Sequence, residues 1–203
     1  MHSLFYTFLL LGFEHIADVK GYDHILFIVA LCAIYTLREW RKVAILATAF
    51  TIGHSLTLGL AALDIIAISP AWIEFLIPVT ILVTGLYNVL AHPAGATAEE
   101  GTFGNRIRLN YLIAALFGLI HGLGFSNYFK AMVSKDNPME LVSRLFAFNL
   151  GVELGQLLIV LAILMISALA LGFFRIKQRE WNLFISGGAA MNALILALER
   201  LPF

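Results

Sequence analysis

The residues best suited to chemistry stand in a short polar stretch, HIADVKGYDH, which occupies residues 15–24 between two strongly apolar runs. It holds two histidines, His15 and His24, and two aspartates, Asp18 and Asp23. Imidazole nitrogens and carboxylate oxygens suit divalent transition metals such as nickel, zinc and cobalt, whereas calcium and magnesium favour oxygen ligands alone. A solvated loop would account for the charges without requiring histidine and aspartate. The stretch is therefore a candidate part of a metal site.

Three further ionisable residues stand inside apolar segments. They are His54 in FTIGHSLTLGL, His121 in FGLIHGLGF and Glu153 in FNLGVELGQLL. Each falls near the middle of a predicted membrane span, where a charged residue costs about 2.5–3.5 kcal/mol to insert and usually marks a function. We therefore expect these three residues to form a mid-membrane layer, with the ionisable residues of the 15–24 stretch above it, towards the outer face.

Each of these residues also has a structural interpretation. A lone histidine in a membrane helix is often only hydrogen-bonded to a neighbouring backbone or hydroxyl group, which would suffice for His54 or His121. Glu153 would then hold a helix interface through its polar neighbours, and Asp18 would be a surface charge. A chance grouping of four histidines and three carboxylates is less economical, so a metal site is favoured. The histidines expected in solvent or at the interface are His2 and His92.

The composition is that of an integral membrane protein. Hydrophobic residues make up 61% of the chain and charged residues 13%, and the mean hydropathy is +0.90. Soluble domains carry about 25% charged residues. Thirteen basic residues balance thirteen acidic ones, so the charge indicates no nucleic-acid partner. We predict an all-α polytopic bundle in a lipid bilayer, with residues 1–203 as a single transmembrane domain. A homo-oligomer is compatible with this composition.

Apolar runs predict about seven helices, since a spanning helix needs about 20 apolar residues. Gly21 separates the first two, which are short, and this predicts a chain reversal near one membrane face. No Lys or Arg precedes the first run and no A-x-A-like site follows it, so we expect that helix to be retained rather than cleaved. The predicted segments are 3–17, 23–37, 43–63, 70–91, 108–131, 142–173 and 181–200.

The basic residues predict an orientation. The loops after the second, fourth and sixth helices carry eight of them, and the opposite side carries five. Cytoplasmic loops are enriched in Lys and Arg, so both termini and the 15–24 stretch are expected outside a bacterial inner membrane. The eight are Arg38, Arg41, Lys42, Arg106, Arg108, Arg175, Lys177 and Arg179, and the five are Lys20, Lys130, Lys135, Arg144 and Arg200.

Four blocks together resemble the HupE/UreJ family of bacterial membrane proteins. They are GFEHIADVKGYDHILFIVAL, FTIGHSLTL, GLIHGLGF and FNLGVELGQL, in the family's order. The resemblance implies transport of nickel or a related metal, linked to the supply of hydrogenase or urease. The first block is also similar to the histidine–aspartate–histidine signature of nickel/cobalt permeases, although seven residues here separate His15 from Asp23, more than in that signature. The positions that match the family are His15, Asp23, His24, His54, His121 and Glu153.

The leading hypothesis is a permease for a divalent transition metal. The polar stretch would capture and partly dehydrate the ion, and the mid-membrane layer would bind it weakly enough for release. Because neutral imidazole is the ligand form, uptake is expected to weaken below about pH 6.5. The alternative is a membrane-embedded metalloenzyme that holds one or two metals at the same residues and acts on a lipid or small apolar substrate. A structural or assembly subunit is a third interpretation.

Overall fold

The computed structural model describes residues 4–91, 100–133 and 137–202, without the side chains of residue 91 and residues 100–109. His2, His92 and Lys135 lie outside these residues. The described part of the chain forms seven α-helices and, before the third, one 3₁₀ turn, Leu37–Glu39. The predicted all-α bundle is confirmed. The helices are α1 (Leu4–Ala17), α2 (Asp23–Cys32), α3 (Trp40–Ala62), α4 (Pro70–Ala91), α5 (Glu100–Met132), α6 (Pro138–Gly172) and α7 (Gln178–Glu199).

Local capping explains where two helix boundaries depart from the hydropathy pattern. α2 ends five residues before the predicted end, because the backbone N–H of Thr36 donates to a Glu39 carboxylate oxygen at 3.2 Å and starts the 3₁₀ turn. α6 begins at Pro138, since the Asn137 side chain accepts a bond from the Glu140 backbone N–H at 3.3 Å. α5 begins at Glu100 rather than at residue 108, because a helix end outside the hydrocarbon need not be apolar.

α1 and α2 run in the same direction and together form one interrupted crossing of the bundle. Their lengths of 14 and 10 residues correspond to about 21 and 15 Å, and only together do they match a hydrocarbon core about 30 Å thick. As the chain advances, its partners on α5 move steadily towards the start of that helix. These pairs are Phe8 with Phe129, His24 with His121, Phe27 with Phe117, and Tyr35 with Asn110.

The predicted chain reversal at Gly21 is therefore wrong. Residues 18–22, most of which are exposed, interrupt the helix, and the chain then continues in the same direction. α1 also runs parallel to α6, since Phe5 packs on Phe146 near the start of α6 and Leu9 lies against Gly151 further along. Hydropathy shows that the chain breaks at this point, but it does not show the direction in which the chain resumes.

The other five α-helices are each long and apolar enough to span a membrane. From α2 onwards successive helices alternate in direction, and α1 runs parallel to α2, so the first and last described residues lie at the same end of the bundle. An ion pair between Lys130 and Asp64 joins the ends of α5 and α3 at this end. The segments that carry the eight basic residues all lie at the opposite end, as the pattern of charges predicted.

Glycines bring the helices that carry the candidate residues into close contact. On α5, a Cβ at Gly118 would overlap the Phe50 carbonyl group of α3, and a Cβ at Gly122 would overlap the carbonyl of His54. A Cβ at Gly12 of α1 would overlap the Phe148 carbonyl of α6 in the same way. Small residues allow membrane helices to approach this closely. The backbones of α3 and α5, and those of α1 and α6, are thus fixed at short range.

Candidate metal centre

Four histidines meet where the first crossing is interrupted. His15 lies in the last turn of α1 and His24 in the first turn of α2, so the two flank the break. The ring of His15 is 4.7 Å from that of His24 and 5.9 Å from that of His54, and the His24 ring is 5.1 Å from that of His121. His54 and His121 are 0% and 1% exposed. We call these four residues the histidine centre.

Three members of the centre are close enough to share one metal ion. Ligand nitrogens of His15, His24 and His54 all lie within 4.8 Å of one another. In a tetrahedral site with metal–nitrogen bonds of about 2.0–2.1 Å, such nitrogens lie about 3.3 Å apart. The rings therefore need to converge by no more than about 1.5 Å. His121, beside His24, is placed to approach as a fourth ligand.

Hydrogen bonds fix the tautomer of three of these rings. His121 Nδ1 is 2.9 Å from the Phe117 carbonyl oxygen, which can only accept, so Nδ1 is the donor. His24 Nδ1 lies 3.1 Å from a carboxylate oxygen of Asp23. His54 Nδ1 lies 3.4 Å from Asn149 Oδ1. In each ring the proton on Nδ1 leaves the Nε2 lone pair free to bind a metal, which is the usual arrangement around metal-binding histidines.

The orientation of the Asn149 amide supports this assignment. Its Nδ2 group donates to the Leu145 carbonyl oxygen at 2.8 Å, and this places Oδ1 towards His54. The amide therefore accepts the proton of His54 Nδ1.

The Nε2 atoms of all four histidines are buried and have no hydrogen-bond partner among the described residues. An unsatisfied polar group in a protein interior costs about 1–3 kcal/mol. Four such atoms in neighbouring rings are a costly arrangement for a packing site. A cation held by His15, His24 and His54, whose ligand nitrogens lie close together, would offset part of this cost.

Aromatic rings enclose the histidine centre. The ring of Phe125 is 4.2 Å from that of His15, and the ring of Phe148 is 5.7 Å from it. On the side facing the basic end of the bundle, the Phe27 and Phe50 rings lie 5.6 and 5.0 Å from the His121 ring. These rings exclude water, so a ligand–metal interaction in the centre is screened less than in solution.

The predicted carboxylates lie around the centre rather than among the converging nitrogens. Asp23 bonds to His24 and lies 3.6 Å from the Arg200 guanidinium group. Asp18 is exposed, and one of its oxygens accepts the Lys20 backbone N–H at 2.8 Å. His15 and His24 thus form a single centre with His54 and His121, and not a separate outer layer.

Glu153 takes part in a helix interface. Its two carboxylate oxygens accept hydrogen bonds of 2.6 Å from the hydroxyl groups of Thr48 and Thr51 on α3. Thr51 Oγ1 also lies 3.0 Å from Gln156 Oε1, so a polar stripe on α6 faces α3. This is the structural interpretation that the sequence had left open for Glu153.

Sequence reasoning did not assign a role in the site to two residues that the structure places around it. Asn149 orients His54, and its position four residues before Glu153 gave only a shared helical face as a signal. Glu14 lines a cavity that reaches His15. Glu14 and Asp18 are four residues apart in the sequence and stand on either side of His15. This spacing is the signal that would have indicated a role for Glu14.

An apolar helical bundle with a buried histidine cluster defines a membrane protein that could hold a metal ion. Residues 1–199 match the family described as HupE / UreJ protein, and the chain belongs to that family. The resemblance of the four sequence blocks is thereby confirmed, and the family is associated with the transport of nickel and other metals. Comparisons with curated proteins and with solved structures returned no match.

Proposed function

We propose that the protein is a permease for a divalent transition metal, with nickel, zinc and cobalt as the candidate cargoes. The observation that carries this proposal is the set of four buried, unpartnered Nε2 atoms in the histidine centre. Imidazole suits these metals, whereas a site for calcium or magnesium would present mainly oxygen atoms.

The interrupted first crossing supports transport. In many transporters, discontinuous helices form the ion site, because the broken segment exposes polar groups at membrane depth. Here the break places His15 and His24 inside the bundle, and a cavity on the side of Glu14 and Asp18 reaches His15. An ion could therefore reach His15 through this cavity.

A release route on the other side is closed by aromatic rings. Phe27 lies against His121, and Phe27 and Phe117 also line a cavity of about 80 Å³ towards the basic end of the bundle. The surface of this cavity is almost wholly apolar, and its few polar atoms belong to neutral residues such as Thr84, Asn88 and Asn110. A compartment of this kind would bind a transition metal weakly, as release requires. Movement of the rings would connect the histidine centre with this cavity.

The membrane location follows from the distribution of charge. With the basic end in the cytoplasm, the protein would lie in a bacterial inner membrane with both termini outside. Residues 1–203 would then act as one transmembrane domain, and the metal would enter from the outside.

Uptake by purified protein tests the proposal. Proteoliposomes that contain the wild-type protein should take up radiolabelled nickel or cobalt. His54→Ala and His121→Ala should each lower uptake at least about tenfold, because His54 is a candidate metal ligand and His121 lies beside another, His24. His92→Ala, at a histidine outside the centre, is the matched control. Equal uptake by the wild type and both centre variants would contradict the proposal.

A resident metal is the second candidate, since three rings are already held in the tautomer that binds a metal. The protein would then be a metalloenzyme with an open position for water or for a lipid or small apolar substrate. The metal content before and after washing with a chelator separates the two functions. A permease should lose its metal within minutes, whereas an enzyme should keep a stoichiometric amount.

A further inference from the structure

A cavity of about 460 Å³ opens beside the C-terminal end of α1, next to the break in the first crossing. Four of the residues that line it bear on its chemistry: Glu14, His15, Asp18 and Tyr128. It has room for a hydrated ion, since six water molecules occupy about 180 Å³ at liquid density.

We propose that this cavity is a capture site, in which Glu14 and Asp18 hold a hydrated divalent cation before His15 takes it into the histidine centre. The inference rests on the proposed metal-binding function and adds a residue, Glu14, and a separate binding step. In this scheme the two carboxylates attract the ion through its water shell, and the imidazoles then replace the water.

The electrostatics of the cavity favour a cation. Glu14 lies in the last turn of α1 and Asp18 directly follows the helix, and both line the cavity. The C-terminal end of a helix also carries a partial negative charge of about half an elementary charge. No Lys or Arg is among the described residues that line the cavity. These charges act together on any ion near the mouth.

An independent observation links the cavity to a ligand. His15 lines it, and the buried Nε2 atom of His15 has no hydrogen-bond partner among the residues that the structure describes. Immediately behind His15 stand His24 and His54, which are 5% and 0% exposed and whose Nε2 atoms are unpartnered in the same way. The cavity therefore ends against the His15 side chain, behind which unpartnered nitrogen atoms lie, rather than at an inert apolar wall.

The arrangement of Asp18 suits a contact through water. One of its oxygens already accepts the Lys20 backbone N–H, which holds the carboxylate at the rim of the cavity. Glu14 and Asp18 are both exposed, in contrast to the buried rings of the centre. Exposed carboxylates bind a hydrated ion briefly and raise its local concentration, which increases the rate of association.

Stopped-flow binding of cobalt(II) to the purified full-length protein tests this step, with the visible absorption of the bound ion as the signal. Glu14→Gln, combined with Asp18→Asn, should lower the association rate about fivefold at low ionic strength, through loss of electrostatic attraction. The dissociation rate and the spectrum should not change, so Kd rises by the same factor. The difference should nearly vanish at about 0.5 M salt.

Two controls keep the result interpretable. Glu74→Gln removes an exposed carboxylate at the same end of the bundle, on α4, and should leave the association rate unchanged. The single variant Glu14→Asp, with Asp18 unchanged, keeps the negative charge and should retain most of the wild-type association rate. Both are small substitutions at exposed positions.

The outcomes are distinct. An unchanged association rate in the double variant would overturn the capture site and leave the histidine centre intact. A changed cobalt spectrum would also overturn it, because the carboxylates would then be direct ligands of the bound ion. Failure of the wild type to bind cobalt, nickel or zinc at all would overturn the proposed function and this step with it.

Discussion

At the scale of single residues, the histidine centre depends on the partners of the nitrogens that do not face the metal. Asp23, Asn149 and the Phe117 carbonyl oxygen each accept a hydrogen bond from a ring Nδ1. These partners orient the rings, while the Nε2 atoms have no hydrogen-bond partner among the described residues. Such outer partners typically contribute about 10–100-fold to metal affinity.

Substitution of Glu153 distinguishes a structural role of this residue from a role as a metal ligand. Glu153→Gln should keep the metal stoichiometry of the wild type, because the carboxylate is bonded to Thr48 and Thr51. One of the two hydroxyl groups would lose a charged acceptor, so the free energy of unfolding should fall by about 1–2 kcal/mol. Elemental analysis and thermal unfolding of the same sample measure both effects. Loss of the bound metal in this variant would instead make Glu153 a ligand.

At the scale of helices, the break between α1 and α2 is what brings His15 and His24 to the level of His54 and His121. The hairpin near the membrane face that the sequence predicted would have kept His15 and His24 away from His54 and His121. The broken crossing also leaves the capture cavity open beside the last turn of α1. The break between α1 and α2 therefore creates both the histidine centre and the access to it.

Hydropathy and residue type were enough to predict the helical bundle and to single out the four histidines that the structure brings together, but not to separate them from the carboxylates Asp18, Asp23 and Glu153. His54 and His121 stood out because ionisable residues inside apolar runs are rare. The direction of α2 was not predictable, since hydropathy carries no direction. The helix partners of Glu153 were also not predictable, because its bonds reach Thr48 and Thr51, about a hundred residues away in the chain, and depend on how α3 packs against α6.

The close packing of α3 and α5 can be tested with one added methyl group. Gly122→Ala places a Cβ against the His54 carbonyl oxygen, so the two helices must separate. Because the centre takes one histidine from each, metal affinity should fall at least about tenfold, while helix content by circular dichroism stays the same. Gly187→Ala is the matched control, since a Cβ there meets nothing within 4 Å. Wild-type affinity in Gly122→Ala would contradict the role of this contact.

At the scale of the whole molecule, the described helices separate charge between the two ends of the bundle. The basic segments lie at one end, and both termini lie at the other. With the basic end in the cytoplasm, as proposed, the termini face the outside. The proposed direction of uptake depends on this orientation.

Labelling of introduced cysteines tests this orientation. In a Cys32→Ala background, Ser69→Cys on the connection between α3 and α4 should react with an impermeant maleimide in intact cells. Lys177→Cys on the connection between α6 and α7 should react only in inverted vesicles. Both positions are exposed and lie at opposite ends of the bundle. The reverse labelling pattern would contradict the assignment and turn the capture cavity towards the cytoplasm.

The central claim, that the four histidines bind a divalent metal through Nε2, is tested most directly by X-ray absorption spectroscopy. The zinc- or nickel-loaded wild type should show three or four imidazole nitrogens around the metal, at about 2.0–2.1 Å for zinc. His24→Ala, which removes the ring beside both His15 and His121, should lower that number or abolish binding. A ligand shell of oxygen atoms alone in the wild type would contradict the claim.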